Sequence, residues 1–133
     1  LPRGNWHDLW SGEAVEGGRW IETAAPLDRI PVYVRAGAIL PLNLGQFGEL
    51  GDDVGNAVDR YTSLAFWIYP VDRSGYDWID AHGVARRIDV ERDADGAVAV
   101  GLPALPMPCI LTVPGGPSAR VAPSTSARRV TLA

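Results

Sequence analysis

The chain has 133 residues, 47% hydrophobic and 21% charged, with a formal net charge of −4. That balance suits one globular domain, or one with a small appendage, and argues against disorder. All twelve cations are arginine, no basic stripe is interleaved with aromatics, and no apolar run is long enough to span a bilayer. Neither a nucleic acid nor a membrane is therefore expected as a partner.

Gly and Pro punctuate short runs of strand formers along the whole chain, and no stretch keeps a helical period with caps. The chain opens on Leu1-Pro2 and enters a tryptophan-rich pattern within six residues. The expectation is that a neighbouring domain precedes it. Asn5-Trp6-His7-Asp8-Leu9-Trp10 alternates, placing Trp6, Asp8 and Trp10 on one face. Ser11-Gly12-Glu13 and Gly17-Gly18 read as turns. Residues 19–23 (Arg-Trp-Ile-Glu-Thr) predict a strand. Residues 31–35 and 38–42 predict two more, separated by Gly37, and their near-continuous apolar character predicts burial on both faces.

Residues 43–60 turn rich in Gly and acid and read as a long surface loop. Residues 63–69 return to a core strand, stopped by Pro70. Residues 87–92 and 97–102 alternate polar and apolar around Asp93-Ala94-Asp95-Gly96. Asp-Gly between such runs predicts a hairpin, since Gly accepts positive φ without a Cβ clash. Residues 110–113 form a further strand ended by Pro114-Gly115-Gly116-Pro117. Residues 117–127 read as loop, and residues 129–132 as a short last strand. No internal repeat stands out. Many short strands with Gly/Pro turns predict an all-β fold, an antiparallel β-sandwich. The expected division is residues 1–70 as a sandwich domain and residues 71–133 as a further β-rich portion. That portion either completes the sandwich or forms a short distal domain.

A search for chemistry returns little. One cysteine, Cys109, excludes an internal disulfide and a cysteine-based zinc site. It lies in an apolar run and reads as a buried, inert thiol. Asp52 and Asp53 are adjacent and read as a solvated pair in a loop. Asp72, Asp77 and Asp80 lack the spacing of a calcium loop. His7 reads as an outward-facing polar residue and His82 as part of a turn. No nucleophile elbow and no phosphate-cradling glycine loop occurs. Five tryptophans, Trp6, Trp10, Trp20, Trp67 and Trp78, either pack a small β core or offer sugars a stacking surface. Trp67 is the firmest core assignment, and Trp6 and Trp10 are the least settled. No catalytic, cofactor-binding or metal-binding residue is assigned, and no cofactor is expected.

Residues 1–42 resemble the β-sandwich that follows the catalytic barrel in glycoside hydrolase family 31, which includes α-glucosidases and α-xylosidases. The residues that carry the resemblance are Leu1-Pro2-Arg3-Gly4-Asn5-Trp6, then Asp8-Leu9-Trp10-Ser11-Gly12-Glu13 and Gly17-Gly18. Ala25-Pro26-Leu27-Asp28-Arg29-Ile30-Pro31 and Val34-Arg35-Ala36-Gly37-Ala38-Ile39-Leu40-Pro41-Leu42 complete it. Residues 63–70 look like the family's next sandwich strand. Many members then carry Leu-Tyr-Glu-Asp-Asp-Gly. Here Tyr76-Asp77-Trp78-Ile79-Asp80-Ala81-His82-Gly83 stands in its place, without the paired acids.

The resemblance implies a parent enzyme that hydrolyses α-glycosidic bonds with retention. Such chemistry uses two barrel carboxylates held roughly 5 Å apart. Both lie upstream of the sandwich in this family, so no residue here inherits a catalytic role. The expected function is that of a non-catalytic fragment packing against and stabilising the barrel of the same parent chain. Self-association of the isolated fragment is an added expectation, because a surface meant to be covered would be exposed. The alternative is a stand-alone carbohydrate-binding or protein-interaction module. The compartment stays open, with the cytoplasm slightly favoured.

Overall fold

The computed structural model describes residues 1–45, 50, 61, 63–80 and 82–133. Among these residues there is no helix, and the fold is all-β. Eleven strands form three sheets. A three-stranded head sheet has the order β2-β1-β3, with β1 at Asn5–Asp8, β2 at Ala14–Glu16 and β3 at Tyr33–Arg35. The first sandwich sheet has the order β10-β9-β5-β4. Its strands are β4 (Ile39–Leu44), β5 (Ser63–Ile68), β9 (Cys109–Thr112) and β10 (Ser118–Val121). The second has the order β11-β8-β7-β6. It consists of β6 (Arg73–Ile79), β7 (Ala85–Arg92), β8 (Val98–Leu102) and β11 (Arg128–Leu132).

The two four-stranded sheets share one core. Leu64, Phe66 and Ile68 on β5 alternate inward, and Cys109 and Leu111 do so on β9. They meet Trp78, Ile88, Val90, Val98, Val100, Leu102 and Leu132 of the opposite sheet. This is the period-two pattern of strands with one buried face. All pairings are antiparallel except β5 with β9, which runs parallel from Leu64↔Cys109 to Trp67↔Thr112.

Several sequence expectations are corrected. Residues 19–23 form no strand. Residues 117–127 are not all loop, because Ser118–Val121 pairs with β9 as an edge strand. The residues Ser-Ala-Arg-Val carry little β signal, so tertiary pairing decides, helped by the 3.0 Å contact between Thr112 Oγ1 and Ser118 Oγ. The strands β3 and β4, each at a sheet edge, are not buried on both faces, since most of their side chains stay half-buried or exposed. Only Val34 of β3 is buried. Pro41 fits β4 for the same reason, since an edge strand tolerates a missing N–H. A repeat is also present: residues 101–112 and 120–131 follow the same succession of strand, bridge, bend and strand. One copy crosses from β8 to β9 and the other returns from β10 to β11. Ser124 N donates to Leu105 O (2.9 Å) where they meet. The copies escape notice because buried Leu105 in one corresponds to Ser124 in the other.

Turns are set by short-range bonds. Gly96 adopts φ +89° as the hairpin between β7 and β8 requires. Asp93 Oδ1 accepts from Asp95 N (3.0 Å) and Ala97 N (2.8 Å). Asp80 plays the same part between β6 and β7, accepting from His82 N (2.9 Å), Val84 N (3.0 Å) and Arg86 Nε (2.8 Å). The Val84 N–H, followed by the other partners, holds its carboxyl below the ordinary 3.8. A depressed folded value stabilises the fold fully above the unfolded value and ceases to do so as pH falls through the folded one. Asp80→Asn is therefore expected to unfold earlier than the native chain at about pH 6, with the gap closing below 3.8. A gap in thermal midpoint that is constant across that window would refute the assignment.

Candidate functional site

The head sheet carries the chemistry-rich segment. Asp8 closes β1: its Oδ1 accepts from Trp10 N (2.9 Å), Ser11 N (2.8 Å) and Ser11 Oγ (3.1 Å). The Ser11 N–H leads in holding the Asp8 carboxyl below its usual range. Such an Asx turn was readable in Asp-Leu-Trp-Ser-Gly, and the sequence reading missed it. At the other end Gly17 N donates to Gly4 O (2.8 Å), and Trp6 Nε1 donates to Pro2 O (3.0 Å). Leu1 N donates to Arg19 O (3.1 Å).

Between these two closures the chain runs as an unpaired strap over residues 19–32, with one turn closed by Arg29 N donating to Pro26 O (3.1 Å). Its far end is fixed by Trp10 Nε1 donating to Ile30 O (2.8 Å) and by Leu9 N donating to Val32 O (2.8 Å). The Arg29 guanidinium lies 5.0 Å from the Trp10 ring centroid. The guanidinium meets the ring's negative face there. Trp20 is 99% exposed and Ile30 74%, and Leu27 is fully exposed. An open groove of about 790 Å³ separates the strap from β2, lined by Trp10, Glu13, Glu16, Arg19, Trp20 and Glu22 among others.

The head meets the sandwich through few groups. Gly37 (φ +91°) turns the chain, and its N donates to Tyr69 O (2.6 Å). The rings of His7 and Tyr69 lie 5.3 Å apart. His7 is thus half-buried against a neighbour rather than simply outward-facing. Burial, then Asp8, pushes the Tyr69 hydroxyl up, and that hydroxyl is buried without a hydrogen-bond partner among the described residues.

The other candidate residues are scattered. Trp78, not Trp67, is the core tryptophan: it is 3% exposed, while Trp67 is half-buried on the outward side of β5. Trp78 stacks edge-on to Phe66 and Tyr61. Cys109 is buried, and desolvation pushes its thiol to about 11, as expected of an inert thiol. Asp77 pairs with Arg87 and Asp80 with Arg86, while Asp72 joins neither pair. Among the described residues no group of three or more His, Cys, Asp or Glu is placed to hold a metal ion. Asp52 and Asp53, and most of the expected loop at 43–60, lie outside the described residues. His82 lies in the β6–β7 turn, as expected.

The family match falls on the head, and the likeness to known proteins extends past it. The model of the glycosyl hydrolase family 31 C-terminal domain matches residues 1–40. Residues 1–40 belong to that family 31 domain. The match spans β1 to β3 and the whole strap. An isomaltosyltransferase of Sporosarcina globispora is 46% identical over 83 residues, covering 62% of this chain and 8% of the relative. An α-xylosidase of Saccharolobus solfataricus is 37% identical over 79 residues, covering 59% of this chain and 10% of the relative. A cycloalternan-forming enzyme from Listeria monocytogenes, solved with a pentasaccharide substrate, superposes with a TM-score of 0.89 at 28% identity. The superposition covers 99% of this chain and 16% of that enzyme. The chain thus spans a tenth or less of these curated relatives' length. The match to the family 31 C-terminal domain thus lies in a β-rich chain whose likeness to these enzymes extends beyond residue 40.

Proposed function

We propose that this chain is the non-catalytic C-terminal β-sandwich region of a retaining α-glycosidase, and that it packs against and stabilises the catalytic barrel. The strap carries this reading: its apolar side chains face solvent, yet it lies wholly within the stretch matched to the family domain. Soluble chains rarely leave such side chains clustered in the open without a partner. On the same reading residues 71–133 complete the sandwich, supported by the pairing of β9 with β5 and by the shared core.

The chain alone is expected to release no product from aryl α-glucosides or aryl α-xylosides. Turnover by the purified chain would overturn the reading. Trp10, 40% exposed, and Trp20 favour a second reading as a glycan-binding module. Titrating oligosaccharides into the same preparation separates the two. Saturable tryptophan quenching that disappears in Trp20→Ala with the fold intact would favour the glycan-binding module.

A further inference from the structure

Residues 20–25, Trp-Ile-Glu-Thr-Ala-Ala, begin with a β-type alternation yet form no strand. They make no hydrogen bond, backbone or side chain, with any described residue. Trp20 and residues 22–25 are exposed, and Ile21 is half-buried. A segment with strand-forming residues, both backbone edges open and almost no buried surface has nothing of its own to hold it extended. It is nevertheless anchored at both ends, by Gly18 N donating to Leu1 O (2.9 Å) and by the Trp10–Ile30 bond. The superposition on the solved Listeria monocytogenes enzyme covers 99% of this chain at a TM-score of 0.89, so the strap belongs to a fold shared with a much longer polypeptide.

We infer that residues 20–25 are an edge strand lacking its ladder partner, and that main chain of the catalytic part of the same polypeptide supplies it. This rests on the proposed function and adds the place and mode of docking. Extended backbone gains affinity from a row of main-chain bonds, as in strand addition to a sheet edge. The flanking Trp20, Leu27 and Ile30 side chains add apolar contact on either side of that row. The relatives point to the source of the partner: the segments matched to this chain make up 8% and 10% of their length, so most of such a polypeptide lies elsewhere.

Hydrogen exchange followed by mass spectrometry tests this on two samples, this chain and the longer polypeptide that carries it. Amides of residues 20–25 are expected to exchange at nearly unfolded rates in this chain and at least about tenfold more slowly in the longer one. Equal, fast exchange in both would overturn the inference while leaving the proposed function standing. Protection that appears in this chain alone and grows with concentration would assign the partner to a second copy, and would overturn it too. Successive residues of a strand send their N–H groups to opposite edges. Of Ile21→Pro and Glu22→Pro, one should therefore lower the thermal midpoint of the longer polypeptide more than the other, and neither should affect this chain. Neutral behaviour of both prolines in the longer polypeptide would also overturn the pairing. Hydrolysis by this chain, or a reading frame with no further polypeptide, would instead remove the proposed function itself.

Discussion

Phe66→Ala is expected to cost the sandwich about 3–5 kcal/mol, read as a fall in the urea midpoint at unchanged slope. Phe66 lies on β5, between β4 and β9, with Pro41 and Leu111 as its register partners. It is fully buried and meets Trp78 edge-on at 5.8 Å and 81°. Truncation removes the transfer free energy of the ring and leaves a cavity that the two sheets cannot close. Against a total of roughly 5–15 kcal/mol for a domain, the variant will be marginal. Phe66→Leu keeps most of the volume and should lose only about 1 kcal/mol, which keeps the test readable if the alanine variant fails to fold. Trp20→Ala, at a fully exposed position, should stay within about 0.5 kcal/mol of the native chain. A Phe66→Ala loss as small as that of Trp20→Ala would mean that the two sheets do not meet at this ring.

The contrast between two tryptophans shows what the sequence made legible. The strand at residues 63–69 was plain because an apolar run from Leu64, closing on Phe66, Trp67, Ile68 and Tyr69, continues unbroken to Pro70. Which of its residues face inward was not, since an unbroken apolar run has no readable phase. Leu64, Phe66 and Ile68 take the core, and Trp67 falls on the other side. Trp78 was obscured for the opposite reason. Gly75 and Asp77 break the apolar pattern of β6, and only the fold explains them. A Cβ at Gly75 would overlap the Arg87 guanidinium, which bonds Asp89 (3.0 Å) and Asp77 (3.3 Å) across the outer face.

The turns at Gly12, Gly18, Gly37 and Gly96 were readable because each needs positive φ. The family-like pattern of residues 1–42 was readable for the same kind of reason, since Gly, Pro and Trp are held at fixed intervals. The near part of the strap, residues 19–23, was read as a strand. Its residues carry β propensity, but propensity does not say whether the partner lies in the same stretch of chain. The docking face was therefore visible only once the exposure of Trp20, Leu27 and Ile30 could be set beside the empty ladder at residues 20–25.

Gly17→Ala should unfasten the head sheet while leaving the sandwich intact. Gly17 does not need glycine for its φ, since it is not among the positive-φ residues. It needs the space. A Cβ there would overlap the Pro2 carbonyl oxygen and stand 2.7 and 2.9 Å from Trp6 Nε1 and Cδ1. The Pro2 oxygen is backbone, and Trp6 is tied to it by its indole N–H, so neither can yield without breaking that bond. The Gly17 N–H bond to Gly4 O closes the same end of the hairpin. Overpacking of this kind costs about 1–3 kcal/mol, a roughly 5- to 150-fold shift in the local opening equilibrium.

The core cluster runs from Ile39 to Leu132 and contains no residue of β1, β2 or β3. The loss should therefore stay local. Amide protection over residues 5–7 and 14–16 should fall by that factor, while the protection of β5, β7 and β8 and the urea midpoint hold. A joint loss of protection in the head and in β5 would mean that head and sandwich unfold as one unit. If protection in the head instead stays at the native level, the closure at Gly17 is not what fastens the hairpin. In the longer polypeptide the same substitution should release residues 20–25, because the near end of the strap is tied into that closure by Gly18 N, which donates to Leu1 O (2.9 Å) and Pro2 O (3.1 Å). A strap that stays protected there while the hairpin opens would show that its partner, rather than the head, sets its course.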